Sequence, residues 1–266
     1  MPLTASGTIK GVRRILIIHN PTAGRRRRER VQALVQLLRQ AGMEVATAET
    51  EAAGDAQRFA ASASGTGAPP DVIVAAGGDG TVNEIANGLL GSTIPLAIMP
   101  LGTVNVLFRE LGLDHSVERV AQAIVAGRTA LVWPGMANGR ALLLMTGVGL
   151  DAAIVAAVSP SLKRRFGKLA YIWAAAKLWW RWQPGHRVLR TNGAEHHAAF
   201  FIAARCRLYG GSYVSAATAR LDEPHLHLVL FERDGRLAAL GYALALLIGQ
   251  LHRWPGVRIC GRRVRR

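Results

Sequence analysis

Cysteine is nearly absent from the sequence, since Cys206 and Cys260 are the only two in 266 residues. Two cysteines are too few for a disulfide framework or a cysteine-rich zinc site, which fits a reducing compartment. The first residues lack the apolar centre of a signal peptide. The longest apolar run, 238–251, is shorter than the roughly 20 residues that a membrane span needs. The sequence therefore predicts a cytoplasmic protein.

Acidic residues are scarce beside basic ones: 17 Asp and Glu stand against 33 Lys and Arg, giving a formal net charge of +16. Only four of the basic residues are Lys, and an Arg excess of this kind often reflects the composition of a whole proteome. A basic surface concentrates anionic partners such as nucleic acid, an anionic membrane or a nucleotide. No known nucleic-acid-binding module organises these arginines, so we expect no nucleic-acid partner.

Strand-like and helix-like patterns alternate in the first half of the chain. Alternation of this kind favours an α/β domain with a parallel sheet covered by helices on both faces, with ligands at the carboxyl ends of the strands. The predicted strands are 15–18, 43–48, 72–76 and 94–99, and helical spacing follows each of them, the fourth helix ending near residue 111.

The pattern changes after about residue 127. Asn-Gly pairs at 138–139 and 192–193 stand between apolar runs, as in type I′ hairpins, and 226–231 has the composition of a strand. We therefore predict a C-terminal, mainly antiparallel β domain with two helices, at 167–182 and 237–251.

A glycine-rich loop, Gly77-Gly78-Asp79-Gly80-Thr81, stands where a predicted strand turns into a helix. Such a turn leaves main-chain N–H groups unpaired at the positive end of a helix, where they bind phosphate oxygens, and Thr81 adds a hydroxyl donor. Because a carboxylate repels a bare phosphate, Asp79 is expected to act through Mg²⁺ or on an acceptor hydroxyl. The alternative is a tight strand–helix turn with Asp79 as the helix N-cap.

Two further loops, 20–25 and 100–105, also follow predicted strands and precede helices. With them the sequence resembles the diacylglycerol kinase catalytic family, which includes bacterial lipid kinases, sphingosine kinases and ceramide kinases. The resemblance implies an ATP-dependent, Mg²⁺-requiring kinase of lipid metabolism that transfers the γ-phosphate to a hydroxyl of a membrane lipid such as diacylglycerol. It is carried by NPTAG at 20–24, GGDGTVNEIANGL at 77–89, PLGTVN at 100–105, GVGLDA at 147–152 and YGGSYV at 209–214.

The resemblance also implies which residues form the site. Asp79 is the predicted catalytic residue, and Glu84 is expected to orient the loop rather than merely start the helix. The predicted nucleotide-binding residues are Asn20, Pro21, Thr50, Gly77, Gly78, Asp79, Gly80, Thr81, Asn83, Glu84, Thr103 and Asn105.

Two domains are implied, a nucleotide-binding domain at 9–133 and a lipid-acceptor β-rich domain at 134–266. Relatives continue from a strand like 257–260 into an acidic turn that is often assigned the acceptor base, so the second domain is predicted to be truncated. Three interpretations stay open: Asp79 assists the acceptor, the protein is a weak kinase, or it binds without catalysing. Asp222 and Glu223 stand where relatives bind a structural Mg²⁺, but Pro224 replaces a glycine there. In the first domain, Val106 stands directly after the loop 100–105, where relatives commonly have an acid. The alternatives are a catalytically impaired nucleotide- or lipid-binding homologue and an NAD kinase-like enzyme, which shares GGDGT.

A membrane contact is predicted from the helix at 167–182, which combines Trp with Lys and Arg. This composition suits a bilayer interface, although one face can also pack against the second sheet. The helix at 237–251 is predicted to lie in the core because it has hardly any polar face. We expect a cytoplasmic protein in peripheral contact with an anionic membrane, with a homodimer as a possible assembly. The basic run 25–28 is predicted to be solvated, the alternative being phosphate contact.

Overall fold

The fold is described from a computed structural model of the chain. The structure describes residues 7–9, 11–21, 25–102, 104–158, 168–181, 185, 187–191 and 194–263. The chain divides into two compact units, Met1–Leu143 and Leu144–Arg266. The first unit thus continues past the boundary at 133 that the sequence suggested, and the assignment of functions to the two parts stays a prediction.

The first unit is built on a four-stranded parallel sheet of order β3-β2-β4-β5, with two short antiparallel pairs, β1–β6 and β7–β8. The strands are β1 Gly7–Thr8, β2 Arg14–His19, β3 Glu44–Glu49, β4 Val72–Gly77, β5 Leu96–Pro100, β6 Arg128–Thr129, β7 Gly135–Ala137 and β8 Arg140–Leu142, and the helices are α1 Arg25–Gln40, α2 Asp55–Ser64, α3 Asp79–Gly88, α4 Val106–Glu110 and α5 Val117–Ala126.

Helices cover both faces of this sheet, whose central strands β2 and β4 are largely apolar and buried. Every residue of β4 is buried, as expected for a strand with helices on both sides. Ile15 and Ile17 pack in one cluster with residues of α1 and α5. On the other side α2 and α3 pack against each other and contact β2 and β4. The predicted N-terminal α/β architecture is confirmed.

The second unit is built on an antiparallel sheet of order β16-β15-β12-β9, beside the hairpins β10–β11 and β13–β14. Its strands are β9 Met145–Val148, β10 Arg187–Thr191, β11 Ala194–Ala198, β12 Phe200–Ala204, β13 Leu208–Tyr209, β14 Tyr213–Val214, β15 His225–Phe231 and β16 Val257–Arg263, and its helices are α6 Leu150–Ala157, α7 Lys168–Arg181, α8 Arg236–Leu247 and a 3₁₀ helix at Leu251–Arg253.

The mainly antiparallel second unit confirms the predicted fold class, with an added helix. The Asn138-Gly139 pair joins β7 to β8 as predicted, while the pair at 192–193 lies outside the described residues. Helix α6 was not predicted. It follows Gly149, whose φ of 94° favours glycine, and an added Cβ there would lie 2.7 Å from Cβ of Phe200.

The helix predicted at 237–251 differs from expectation in length and in burial. It ends at Leu247, and a 3₁₀ turn follows. Ala239, Tyr242 and Ala245 are buried against the sheet, but the opposite side of the helix is exposed, Leu237 by 83%. The helix therefore contributes to the core as predicted, but with one side only. Among the described residues no helix is both long and apolar enough to cross a membrane.

Candidate functional site

Three loops meet at the carboxyl edge of the parallel sheet. Strands β2, β4 and β5 are neighbours, and they end at His19, Gly77 and Pro100. The N–H of Asn20 donates to the carbonyl of Ala76 at 3.1 Å, and the N–H of Leu101 donates to the carbonyl of Gly77 at 2.9 Å. The loops that the sequence placed after separate strands thus lie side by side.

The two glycine loops touch through their main chains. A Cβ added to Gly102 would lie 2.8 Å from Cα of Gly78, and a Cβ added to Gly77 would lie 2.6 Å from Cβ of Thr81. Real Cβ atoms do not approach other atoms so closely, so the packing at 77 and 102 requires glycine. The glycines at 77 and 102 are thus explained by close main-chain packing between the two loops and not by a need for flexibility.

The amino terminus of α3 offers unpaired main-chain donors. Helix α3 begins at Asp79 after Gly78, which caps it without a side-chain hydrogen bond. Within the described residues the N–H groups of Asp79, Gly80 and Thr81 have no acceptor. Gly80 is exposed, and no atom lies within 4 Å of the position of its absent Cβ. Free N–H groups at the positive end of a helix fit a polyphosphate.

Asp79 does not cap its own helix. Its Oδ2 accepts from the N–H of Val106 at 2.9 Å and its Oδ1 from the N–H of Leu107 at 3.1 Å, so the carboxylate caps α4. A carboxylate has about four acceptor positions, so each oxygen retains one. Mg²⁺ is bound by one or two carboxylates together with phosphate oxygens, and Asp79 fits this role while it holds α4.

Asn105 shapes the second loop from inside. Its φ of 48° lies in the left-handed region, which asparagine tolerates better than most residues. Its Nδ2 donates to the carbonyl of Gly102 at 2.7 Å, and its buried Oδ1 has no hydrogen-bond partner within the described part of the chain. Asn105 therefore has a structural role within the loop, and its contact with a nucleotide stays a prediction. Thr103 lies outside the described residues.

Asn83 and Glu84 lie farther along α3 than the loop itself. Oδ1 of Asn83 accepts from the N–H of Leu143 at 3.2 Å, so this side chain holds the end of the first unit. Glu84 is half-buried, and no hydrogen bond of its side chain is found over the described residues. The structure thus gives Asn83 a packing role, and nucleotide contact by either residue stays a prediction.

The sequence reasoning missed two buried polar residues. Asn87 fastens α3 to β8: its Nδ2 donates to the carbonyl of Ala141 at 2.9 Å, and its Oδ1 accepts from the N–H of Ala141 at 2.8 Å. A buried asparagine in a helix needs partners, and that rule could have identified it.

His19 is the second missed residue, and it lies at the end of β2 beside the first loop. It is only 3% exposed, its Nδ1 is 3.6 Å from Oε1 of Glu49, and its Nε2 is buried without a partner in the described ranges. Burial lowers the pKa of His19, although Glu49 opposes the shift. Its position directly before NPTAG in the sequence could have identified His19 as part of the site.

Two of the predicted binding residues, Thr50 and Pro21, lie near this strand end. The N–H of the buried Thr50 donates to the carbonyl of His19 at 2.9 Å, and Pro21 is half-buried.

Two sequence motifs of the second unit come together around a buried acid. Asp151 of GVGLDA accepts a hydrogen bond from the hydroxyl of Tyr209 of YGGSYV. Burial raises the pKa of Asp151, and burial with the nearby carboxylate raises the pKa of Tyr209. A Cβ at Gly147 would collide with Oδ2 of Asp151, which explains the glycine before this acid.

The loop predicted to hold a structural Mg²⁺ is occupied by arginines. Arg220 pairs with Asp222 at 2.7 Å and with Glu223 at 3.0 Å. The fully buried Arg205 donates through Nη2 to the carbonyls of residues 220, 221 and 223, the last at 2.6 Å. Carbonyl and carboxylate oxygens are the ligands Mg²⁺ prefers, and here guanidinium groups already bind them. No group of three or more His, Cys, Asp or Glu in the described chain is arranged for a metal ion. These contacts do not fit a metal at Asp222 and Glu223.

Known proteins match the chain over most of its length. Residues 14–136 match the family model for the diacylglycerol kinase catalytic domain. The diacylglycerol kinase of Bacillus subtilis (strain 168) is 28% identical over 245 residues, which cover 90% of this chain and 80% of that protein. The diacylglycerol kinase of Staphylococcus aureus (strain JH9) is 29% identical over 240 residues, covering 88% and 75%. The crystal structure of a diacylglycerol kinase from Bacillus anthracis str. Sterne shares the fold, with a TM-score of 0.73 at 23% identity over 95% of this chain and 85% of that one.

The parallel sheet defines an α/β protein that carries free main-chain donors at the carboxyl edge of its strands. Residues 14–136 are thus similar to the diacylglycerol kinase catalytic domain, and most of the chain is similar in sequence to proteins named diacylglycerol kinase.

Proposed function

We propose that the protein is an ATP-dependent lipid kinase that transfers the γ-phosphate to a hydroxyl of a membrane lipid, with diacylglycerol or a related lipid as acceptor. One observation carries the proposal: three consecutive N–H groups at the start of α3 lack an acceptor among the described residues, beside two loops that only glycine allows to touch. Such an arrangement suits the phosphates of a nucleotide.

Each part of the site has its own task in this proposal. The N–H groups of Asp79, Gly80 and Thr81 bind phosphate oxygens and fix their direction. Asp79 keeps α4 against the glycine-rich loop 77–81, and the acceptor positions left on its carboxylate would hold Mg²⁺. When bound, Mg-ATP supplies the phosphoryl group. The chain supplies positioning and charge neutralisation, which account for most of the catalysis in phosphoryl transfer.

The two parts of the chain are proposed to divide the work. Residues 9–133 bind the nucleotide, and residues 134–266 bind the lipid acceptor from the cytoplasmic side of the membrane as a peripheral protein. The relatives named diacylglycerol kinase support the lipid class.

The test is transfer from labelled ATP with Mg²⁺ to vesicles that contain diacylglycerol, phosphatidylglycerol or a sphingoid base. We expect a labelled lipid with at least one acceptor, and no conversion of NAD to NADP. ATP binding without transfer to any lipid would instead identify an impaired nucleotide-binding homologue, and NADP formation would identify an NAD kinase-like enzyme. Thermal unfolding with and without Mg-ATP separates the first of these outcomes from a protein that binds no nucleotide.

A further inference from the structure

Helix α8 presents a row of aliphatic side chains that the fold does not bury. Its inner side is fixed by Tyr242, whose ring packs against Phe231 and whose hydroxyl accepts from the N–H of Arg233 at 3.0 Å. Residues three or four apart lie on one side of a helix, so the outward positions form a continuous row. This row, called the leucine surface, consists of Leu237, Leu240, Leu244, Leu247 and Ile248, all exposed.

Helix α7 adds tryptophan at the beginning of this row. Nε1 of Trp179 donates to the carbonyl of Arg236 at 2.8 Å, and the guanidinium of Arg236 lies 5.7 Å from the ring centre of Trp180. Trp180 is 69% exposed, and Trp173 on the same helix is also exposed. Since Leu237 directly follows Arg236, the exposed indole and the leucine surface are neighbours.

The two segments that carry this surface contain basic residues and no acidic ones. Segments 168–181 and 236–253 contain five Lys and Arg and no Asp or Glu. The ammonium group of Lys177 lies 5.1 Å from the ring centre of Trp173, so positive charge and indole occur together. Trp with Lys or Arg beside an aliphatic face is typical of helices that lie in the headgroup region of anionic bilayers.

The charge also decides between two occupants of the leucine surface. Single exposed leucines are ordinary, but a row of five with adjoining tryptophan indicates an interaction site. In a symmetric dimer through this face, two segments without any acid would meet, and like charges brought together disfavour association. An anionic lipid surface provides both the apolar interior and the opposite charge.

We propose that the leucine surface and the exposed tryptophans of α7 dock the protein onto an anionic bilayer, with the leucines inserted below the headgroups. The proposal deepens the lipid-kinase function by naming the contact with the membrane. It requires neither ATP nor turnover, so a binding measurement can fail or succeed independently of the kinase assay.

The test is cosedimentation of the full chain with vesicles of phosphatidylcholine alone and of phosphatidylcholine with a quarter phosphatidylglycerol, without nucleotide. The site variant is L240E/L244E, at side chains 46% and 50% exposed. The matched control is L90E/L113E, at side chains 48% and 45% exposed in the first unit. Circular dichroism and thermal unfolding of each variant establish that it is folded.

We expect the unaltered protein and the control to bind the phosphatidylglycerol vesicles, and L240E/L244E to bind at least tenfold more weakly. Lys177→Gln should weaken binding about fivefold at low salt, the effect of one charge near an anionic surface. Equal binding by L240E/L244E and the control overturns the proposal, as does failure of the unaltered protein to bind. Sedimentation equilibrium provides a further test. If the unaltered protein and the control are dimers and L240E/L244E is a monomer, the leucine surface binds a second copy of the chain, and the proposal is overturned.

Discussion

At the scale of single residues, Asp79 caps a helix, but not the helix that the sequence suggested. The glycine loop suggested either a catalytic acid or a helix cap. The structure shows that the Asp79 carboxylate caps α4 and not α3, because the N–H groups of Val106 and Leu107 donate to it. The catalytic role remains a prediction, and it now has to be separated from a structural one.

Asp79→Asn separates these roles when it is compared with Asp55→Asn. Asp55 also accepts from two main-chain N–H groups, those of Glu51 and Ala52, but at the start of α2. Each variant loses an anionic acceptor of two main-chain N–H groups, so we expect the temperature of thermal unfolding to fall in both. Thermal unfolding measures this loss. Only Asp79→Asn should also lose Mg-ATP binding and transfer; unchanged turnover in that variant would remove Asp79 from the mechanism.

His19 predicts how stability depends on pH. Burial lowers the pKa of His19 in the folded protein below its ordinary value of about 6.5. Between the two values the unfolded chain binds more protons, so the free energy of unfolding decreases as the pH falls below about 6.5. Denaturant unfolding from pH 7.5 to 5 should show this decrease, and His19→Gln should flatten part of it. The exposed His252→Gln is the control, and identical pH profiles for both variants would contradict the assignment.

At the scale of elements, the sequence predicts best where the pattern is periodic. The four parallel strands and their helices follow from apolar runs and turn residues, and the observed bounds differ by only a few residues. Helix α6 was not predicted because it starts after Gly149, and no side chain caps its first turn to mark the start in the sequence. The exposed side of α8 was missed because composition cannot tell which side of an apolar helix faces the core.

Attachment of α3 to the β7–β8 pair depends on Asn87. Removing its amide in Asn87→Ala leaves the buried N–H and C=O of Ala141 without partners, which we expect to cost about 2–4 kcal/mol of unfolding free energy. Asn83→Ala, which removes a single bond to the N–H of Leu143, should cost less. Urea unfolding of both variants gives the comparison. A loss for Asn87→Ala no larger than that for Asn83→Ala would show that β7–β8 is held by other contacts.

At the scale of the whole molecule, the site was predictable as far as main-chain geometry decides it. The neighbouring strand ends at His19, Gly77 and Pro100 were predictable because parallel strands bring their carboxyl ends to one edge. Positions set by partners distant in sequence, such as Asn87 with Ala141 or Arg205 with the 220–223 loop, could not be read from local patterns. The loop at Asp222 and Glu223 is an example. The buried guanidinium that donates to its carbonyls belongs to Arg205, which follows strand β12 and is distant in sequence.

The account depends on the anion site at the start of α3, and calorimetric titration with Mg-ATP tests it most directly. Gly80→Ala is the site variant, because its methyl group enters open space beside the free N–H groups while alanine favours the helix. Gly67→Ala, at another glycine with no neighbouring atoms within 4 Å, is the control. We expect binding by the unaltered protein and by the control, and affinity roughly tenfold lower, about 1.4 kcal/mol, for Gly80→Ala. Folded protein that gives neither heat nor thermal protection with Mg-ATP, or equal affinity in all three proteins, would contradict the account.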